Sequence, residues 1–358
     1  MKKNVIILIA ALLLLAGCQS ATPAQGTQTD NAQSGGGTQV SGDVYVFNWG
    51  EYMDEELNNA FGEATGIQVH YSTYQNNEML YSTLMGGGSN YDVIIPSDYM
   101  ISRMIEEDML LTLDFANIPN FANIDADLKN PAYDPENLYS VPYAWGTVGI
   151  IYDTARVSEP VDSWGALFDE RYSGEILMFD NPRDAFGIAL KLLGHSFNTT
   201  NEAELRGAYD LMVTQKPLVQ GYVMDQIFDK MENGEAILAP YYAGDAITMM
   251  ETNEDLAFVF PKEGTNIFVD AFCIPKGAAN KTAAEKYIDY MCSYEAGLAN
   301  IDFTGYSTPL IDVYESLDDE VKNDGISYPE DMTGFETFTN LPGWVNDLYA
   351  ELWTDLRK

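Results

Sequence analysis

The stretch DVYVFNWGEYMDEELNNAFGEATGIQVHYSTY, residues 43–74, decides how the rest of the chain is read. Residues 44–47 form a short apolar β run, and 54–63 carry Leu57, Ala60 and Phe61 at helical spacing among acids. Thr65-Gly66 marks a stop, after which 67–71 read as a second strand. Strand, helix and strand in so short a span make a βαβ unit, whose crossover sets the two strands parallel. The pattern continues outward with a helix over 78–85, a glycine turn at 86–88, a strand over 91–95 and a helix over 99–107. Residues 141–152 read as a long strand or crossover, and further strands are predicted at 176–179, 236–239, 256–260 and 267–274. Helices are predicted over 185–193, 202–213, 225–233, 283–292 and 344–356. Such alternation is the mark of an α/β protein with a largely parallel sheet.

The chain has 358 residues, more than one compact core ordinarily holds, so two domains are expected. It is 46% apolar, which argues against wholesale disorder. Its 55 acidic and 18 basic side chains give a formal charge of -37. A field this negative repels phosphate backbones, so nucleic acid is excluded as a partner, and it concentrates cations instead.

The start of the chain sets the compartment. Lys2 and Lys3 precede the apolar run 5–16, which is shorter than the roughly 20 residues a spanning helix needs and fits the core of a signal peptide. Leu15-Ala16-Gly17-Cys18 resembles the lipobox of bacterial lipoproteins. That resemblance implies removal of residues 1–17 and acylation (palmitate) of Cys18. Removal would delete two lysines and no acids, so the acid excess belongs to the exported part. Residues 19–42 are rich in Gly, Ser, Thr, Gln and Asn with almost nothing large and apolar, a flexible tether with a reach of roughly 25 to 30 Å. Cys273 and Cys292 are either a disulfide or two buried thiols, and the sequence leaves both open.

Ligands in open α/β sheets sit beyond the carboxyl ends of strands, so the residues after each predicted strand are the candidates. Those residues are Asn48-Trp49-Gly50-Glu51-Tyr52, Ser97-Asp98-Tyr99, Asp180-Asn181-Pro182-Arg183-Asp184 and Tyr241-Tyr242-Ala243-Gly244-Asp245. Phe268 and Asp270 share one face of a strand, and Asp302-Phe303-Thr304-Gly305-Tyr306 follows the helices after it. Aromatic faces attract ammonium groups and carboxylates pair with them, a combination suited to an organic cation. Each piece has an ordinary alternative. Trp49 and Tyr52 could be core aromatics, Asp98 and Asp180 could cap helices, and Arg183 could neutralise Asp270. Asp270 interrupts an apolar strand, where an unpaired carboxylate costs several kcal/mol, and is read as functional.

Taken in order, Asn48-Trp49-Gly50-Glu51-Tyr52, Thr65-Gly66-Ile67, Tyr71-Ser72-Thr73-Tyr74, residues 91–97 (YDVIIPS), 141–146 (VPYAWG) and 304–309 (TGYSTP) resemble the spermidine/putrescine-binding proteins of polyamine ABC transporters. The resemblance runs from about Val44 to Pro309. It implies the type II periplasmic-binding-protein fold, two α/β lobes with a ligand cleft at the hinge. The lobes are expected at 43–147 plus 271–310 and at 148–270 plus 311–358. It also implies a protein that is not an enzyme, needs no cofactor or metal, and acts as a monomer with an ABC permease and its ATPase. It would be anchored by lipid to the outer face of the cytoplasmic membrane, or face the periplasm where an outer membrane exists.

By the same resemblance, Trp49, Tyr242, Phe268 and Tyr306 are the walls around a ligand's methylenes. Asp270 and Asp245 hold one ammonium and Asp184 the distal one, with Ser97, Tyr52 and Tyr99 adding hydrogen bonds. Tyr242 stands where the family usually has a Trp, Asn181 where spermidine-type members have an Asp, and Gly50 where a hydroxyl residue is common. Asp245 matches an acid of the putrescine-type members. Two rival functions remain: a ferric-ion or other cation carrier of the same fold class, suggested by Tyr241-Tyr242, and a glycosidase built on a carboxylate pair. No GxSxG, P-loop, CxxC or HExxH sequence occurs to support other chemistry.

Overall fold

The computed structural model describes residues 42–87 and 90–358. The expected signal segment, the lipidated Cys18 and all of the tether but Gly42 lie outside the described residues. The first βαβ unit forms as β1 (Gly42–Trp49), α1 (Glu56–Thr65) and β2 (Ile67–Tyr74), with β1 and β2 parallel in register from Gly42 and Ile67. Gly66, at φ 76°, closes α1 in the left-handed conformation that glycine adopts without steric cost. There follow α2 (Asn77–Met85), β3 (Val93–Ile94), α3 (Asp98–Glu106), β4 (Ser140–Asp153), β5 (Ile176–Phe179), α4 (Pro182–Leu192) and α5 (Glu202–Gln215). Then come β6 (Val219–Val223), α6 (Ile227–Glu232), β7 (Leu238–Tyr242), α7 (Ala243–Thr252), β8 (Leu256–Val259) and β9 (Ile267–Cys273). The chain ends in α8 (Lys281–Met291), α9 (Tyr294–Thr304), α10 (Ile311–Ser316), α11 (Asp319–Lys322) and α12 (Gly343–Leu356).

The strands run in the order β2-β1-β3-β9-β4-β7-β5-β6, with β8 also on β4. The flanks are parallel as the βαβ reading predicts, but the middle is antiparallel: β9 pairs so with β3 and β4, and β4 with β7 and β8. The cause is β4, a run of β-branched and aromatic residues buried over nearly its whole length. Its residues Ser140–Thr147 pair with β9, and from Val148 it pairs with β7 and β8 instead. One strand thus feeds both halves of the sheet.

Three local expectations change. β6 was not predicted, because Gly221 interrupts its β run and most of it is only half-buried. The strand expected at 236–239 sits slightly later, at Leu238–Tyr242, which moves Tyr241 and Tyr242 into the strand itself. The helix caps also differ. Ser97 and Asn181 hold the N-cap positions expected of Asp98 and Asp180, and the Asn181 side chain accepts from Arg183 N at 3.1 Å. Asp180 forms an ion pair with Arg357 instead. Cys273 and Cys292 are buried and unpaired.

Candidate ligand-binding cleft

The ten residues expected to bind ligand all line one cleft of about 620 Å³, counted with its open mouth. Trp49 ends β1 and is fixed by its indole N–H, which donates to the Ile95 carbonyl at 2.9 Å. Ser97 and Tyr99 open α3 after β3, Asp184 lies in the first turn of α4 after β5, and Asp245 in the first turn of α7 after β7. Phe268 and Asp270 point from β9, and Tyr306 follows the left-handed Gly305 that ends α9. The Tyr306 ring lies on Gly244, where an added Cβ would stand 2.4 Å from it, so only glycine lets that ring enter the cleft.

Each of the three buried acids Asp270, Asp184 and Asp245 is engaged by one tyrosine hydroxyl. Tyr52 donates to Asp270 Oδ2 at 2.8 Å, Tyr242 to Asp184 Oδ2 at 3.0 Å and Tyr306 to Asp245 Oδ2 at 3.0 Å. The tyrosines are also the walls: the Tyr52 and Tyr306 ring centroids are 4.6 Å apart edge to face, and those of Tyr242 and Phe268 are 5.5 Å apart. Asp270 Oδ1 is buried with no hydrogen-bond partner among the described residues, a costly condition that a cationic donor would relieve.

Burial raises all three carboxyls. Asp270 is pushed up to about 7, with Ser97 and Tyr52 pulling against burial. Asp184 also reaches about 7, mainly by burial, with the Tyr242 hydroxyl and Arg183 opposing it and Glu78 adding to it. Asp245 is raised well above its ordinary value by burial, with the charges of Asp225 and Glu51 adding. Arg183 does not neutralise Asp270. Its guanidinium lies over Tyr99, Phe338 and Tyr349 at 4.8, 4.7 and 5.6 Å, and it makes no ion pair to a described residue within 4.0 Å.

Several lining residues were absent from the sequence reading. Asn77 donates to the Ser97 and Tyr99 hydroxyls at 3.0 and 3.2 Å and accepts from Ser97 N, so it fixes both candidates. The strand-end rule applied to β2 points to it. Asn266 shares the face of Phe268 and Asp270 at spacing two, and its buried Oδ1 has no partner among the described residues. Asp225 follows β6 and lines the cleft, as does Phe338 from a loop without periodicity. Tyr241 is 2% exposed and its ring centroid lies 5.5 Å from that of Phe179. Among the described residues no group of three or more His, Cys, Asp and Glu is set to hold a metal.

The spermidine/putrescine-binding periplasmic protein of Escherichia coli (strain K12) is 34% identical over 309 residues, 86% of this chain and 87% of the relative. A solved structure of a putative spermidine/putrescine ABC transporter from Listeria monocytogenes is 37% identical, with a TM-score of 0.85, covering 88% of this chain and 98% of that one. That of the TpPotD lipoprotein of Treponema pallidum is 27% identical, with a TM-score of 0.77, covering 88% and 99%. These neighbours share the two-lobe solute-binding fold. The profile of the bacterial extracellular solute-binding proteins matches residues 56–329, and the chain belongs to that family.

Proposed function

We propose that this protein is the substrate-binding component of an ABC importer and captures polyamines, putrescine or spermidine, in its cleft. The observation that carries the reading is a slot with aromatic walls whose three buried acids are each bonded to a tyrosine and to no lysine or arginine among the described residues. A polyamine supplies what such a slot lacks: methylenes for the rings and ammonium groups for the acids. The relatives named for spermidine and putrescine support this ligand class over ferric ion or a glycoside. The ligand is bound and released without chemical change.

Trp49, Tyr242, Phe268 and Tyr306 enclose the chain, Asp270 and Asp245 hold one ammonium and Asp184 the other, while Ser97, Tyr52 and Tyr99 add hydrogen bonds. The lobes are 43–147 plus 271–310 and 148–270 plus 311–358. Since both lobes contribute ligand groups, only the closed state makes every contact, and ligand shifts the protein toward it. The closed form is what the permease, driven by its ATPase, recognises. An acyl chain on Cys18 and the tether hold the monomeric body near the membrane, in keeping with the lipoprotein among its structural relatives.

Isothermal titration with putrescine, spermidine, spermine and an amino acid at two salt concentrations tests the reading. One site per chain of micromolar or tighter affinity for a polyamine is expected. Asp270→Asn should weaken it by roughly tenfold or more, the loss of one charge-assisted bond. Absence of heat with every polyamine refutes the ligand class, and an unchanged dissociation constant in Asp270→Asn removes that residue from the site.

A further inference from the structure

Gly50 and Asp225 both line the cleft, and the Asp225 carboxylate lies directly against Gly50. A Cβ built on Gly50 would stand 2.2 Å from Asp225 Oδ2 and 3.1 Å from its Cγ, so the carboxylate fills the space that a side chain at position 50 would occupy. Backbone conformation does not require glycine there. The positive φ in this turn, 45°, belongs to the next residue, Glu51, and Gly50 itself has none. What the glycine provides is room. The carboxylate that uses this room is half-buried, and no side chain among the described residues donates to it or pairs with it. Burial first and the Glu51 charge second raise its pKa, and its own charge acts in turn on buried Asp245. The same cleft holds two buried acceptors without partners, Asp270 Oδ1 and Asn266 Oδ1, so the lining as a whole is short of donors.

We propose that Asp225 is a specificity-determining carboxylate: standing in the space left by Gly50, it forms with Asp245 an anionic wall that receives a primary ammonium of the ligand. This rests on the polyamine reading above. It also gives the glycine a role, because a larger residue at 50 would displace the carboxylate.

The test is a double-mutant cycle on putrescine affinity by isothermal titration, with Asp225→Asn, Gly50→Ser and both together. Asp225→Asn keeps the side-chain shape and should weaken binding about tenfold or more. Gly50→Ser should weaken it although Asp225 remains, and the double variant should be no weaker than Asp225→Asn alone, since both act through one carboxylate. Melting temperatures of the empty variants, matching the parent within a few degrees, show that folding is not the cause. If the parent binds putrescine and Asp225→Asn binds it equally, or if the two losses add, the proposal is overturned while the polyamine reading stands. If the parent binds no polyamine, the reading falls and this assignment with it.

Discussion

The two sides of the cleft use the same residue types and meet their charge differently. Around Asp184 the neighbours are Glu78, which accepts from the Tyr99 hydroxyl at 3.2 Å, and Arg183, whose guanidinium lowers the pKa of both acids. Around Asp245 the neighbours are Asp225 and Glu51, and no cation among the described residues acts against them. One side thus carries part of its compensation in the fold. The other takes it from whatever binds. In a protein with 55 acids and 18 bases, a cation placed behind one acid and withheld from another is a choice of where the ligand is gripped hardest.

The largest effect should therefore separate the two acids. Asp245→Asn removes a carboxylate with no built-in partner and should raise the putrescine dissociation constant by roughly tenfold or more. Asp184→Asn removes one whose charge Arg183 already meets in part, and about threefold is expected there, since a charge seen through a partner is worth less. Equal losses in the two titrations would break the comparison.

The next effect is on pH. Asp270 and Asp184 sit at about 7 and buried Asp98 at about 8, against roughly 3.9 for an unfolded Asp. The folded empty protein therefore holds more protons than the unfolded chain between about pH 4 and 8, so these groups destabilise it progressively as pH rises through that window. A bound diammonium favours the ionised acids and reverses the penalty. Putrescine should raise the melting temperature more at pH 8 than at pH 5.5, and titrations in buffers of different ionisation enthalpy should show proton release. A shift of the same size at both pH values would mean that the acids are already ionised in the empty cleft.

How much of this was legible in the sequence follows from where each residue stands. Trp49, Ser97, Asp184, Asp245 and Asp270 come just after or on strands whose apolar runs are plain, so the strand-end rule reaches them. Asp225 follows a strand too, but β6 is short, half-buried and broken by Gly221, so nothing marked the position as a strand end. Phe338 reaches the cleft from an irregular loop, where no period exists to read. The antiparallel centre of the sheet was equally hidden, because alternation of strands and helices says nothing about a strand that runs from one half into the other. Nor could spacing show that Gly50 leaves room that the Asp225 carboxylate fills, since that fact lives in tertiary contact alone.

The smallest effect concerns ligand length. On the Asp184 side, Asn181 caps α4 through its neutral side chain, so this position adds no charge to hold a further ammonium. On the Asp245 side the charge is in excess, with Asp225 and Glu51 close enough to raise the carboxyl. On the proposed reading, a ligand with two ammonium groups would meet Asp270 with Asp245 at one end and Asp184 at the other, whereas the additional amine of spermidine would gain no new carboxylate where Asn181 stands. Putrescine should therefore bind at least as well as spermidine in a competition titration, with a ratio of dissociation constants within about tenfold, one charge-assisted contact. A clear preference for spermidine would place its third ammonium against the Asp225 and Glu51 charges and make the Asp245 side the one that reads ligand length.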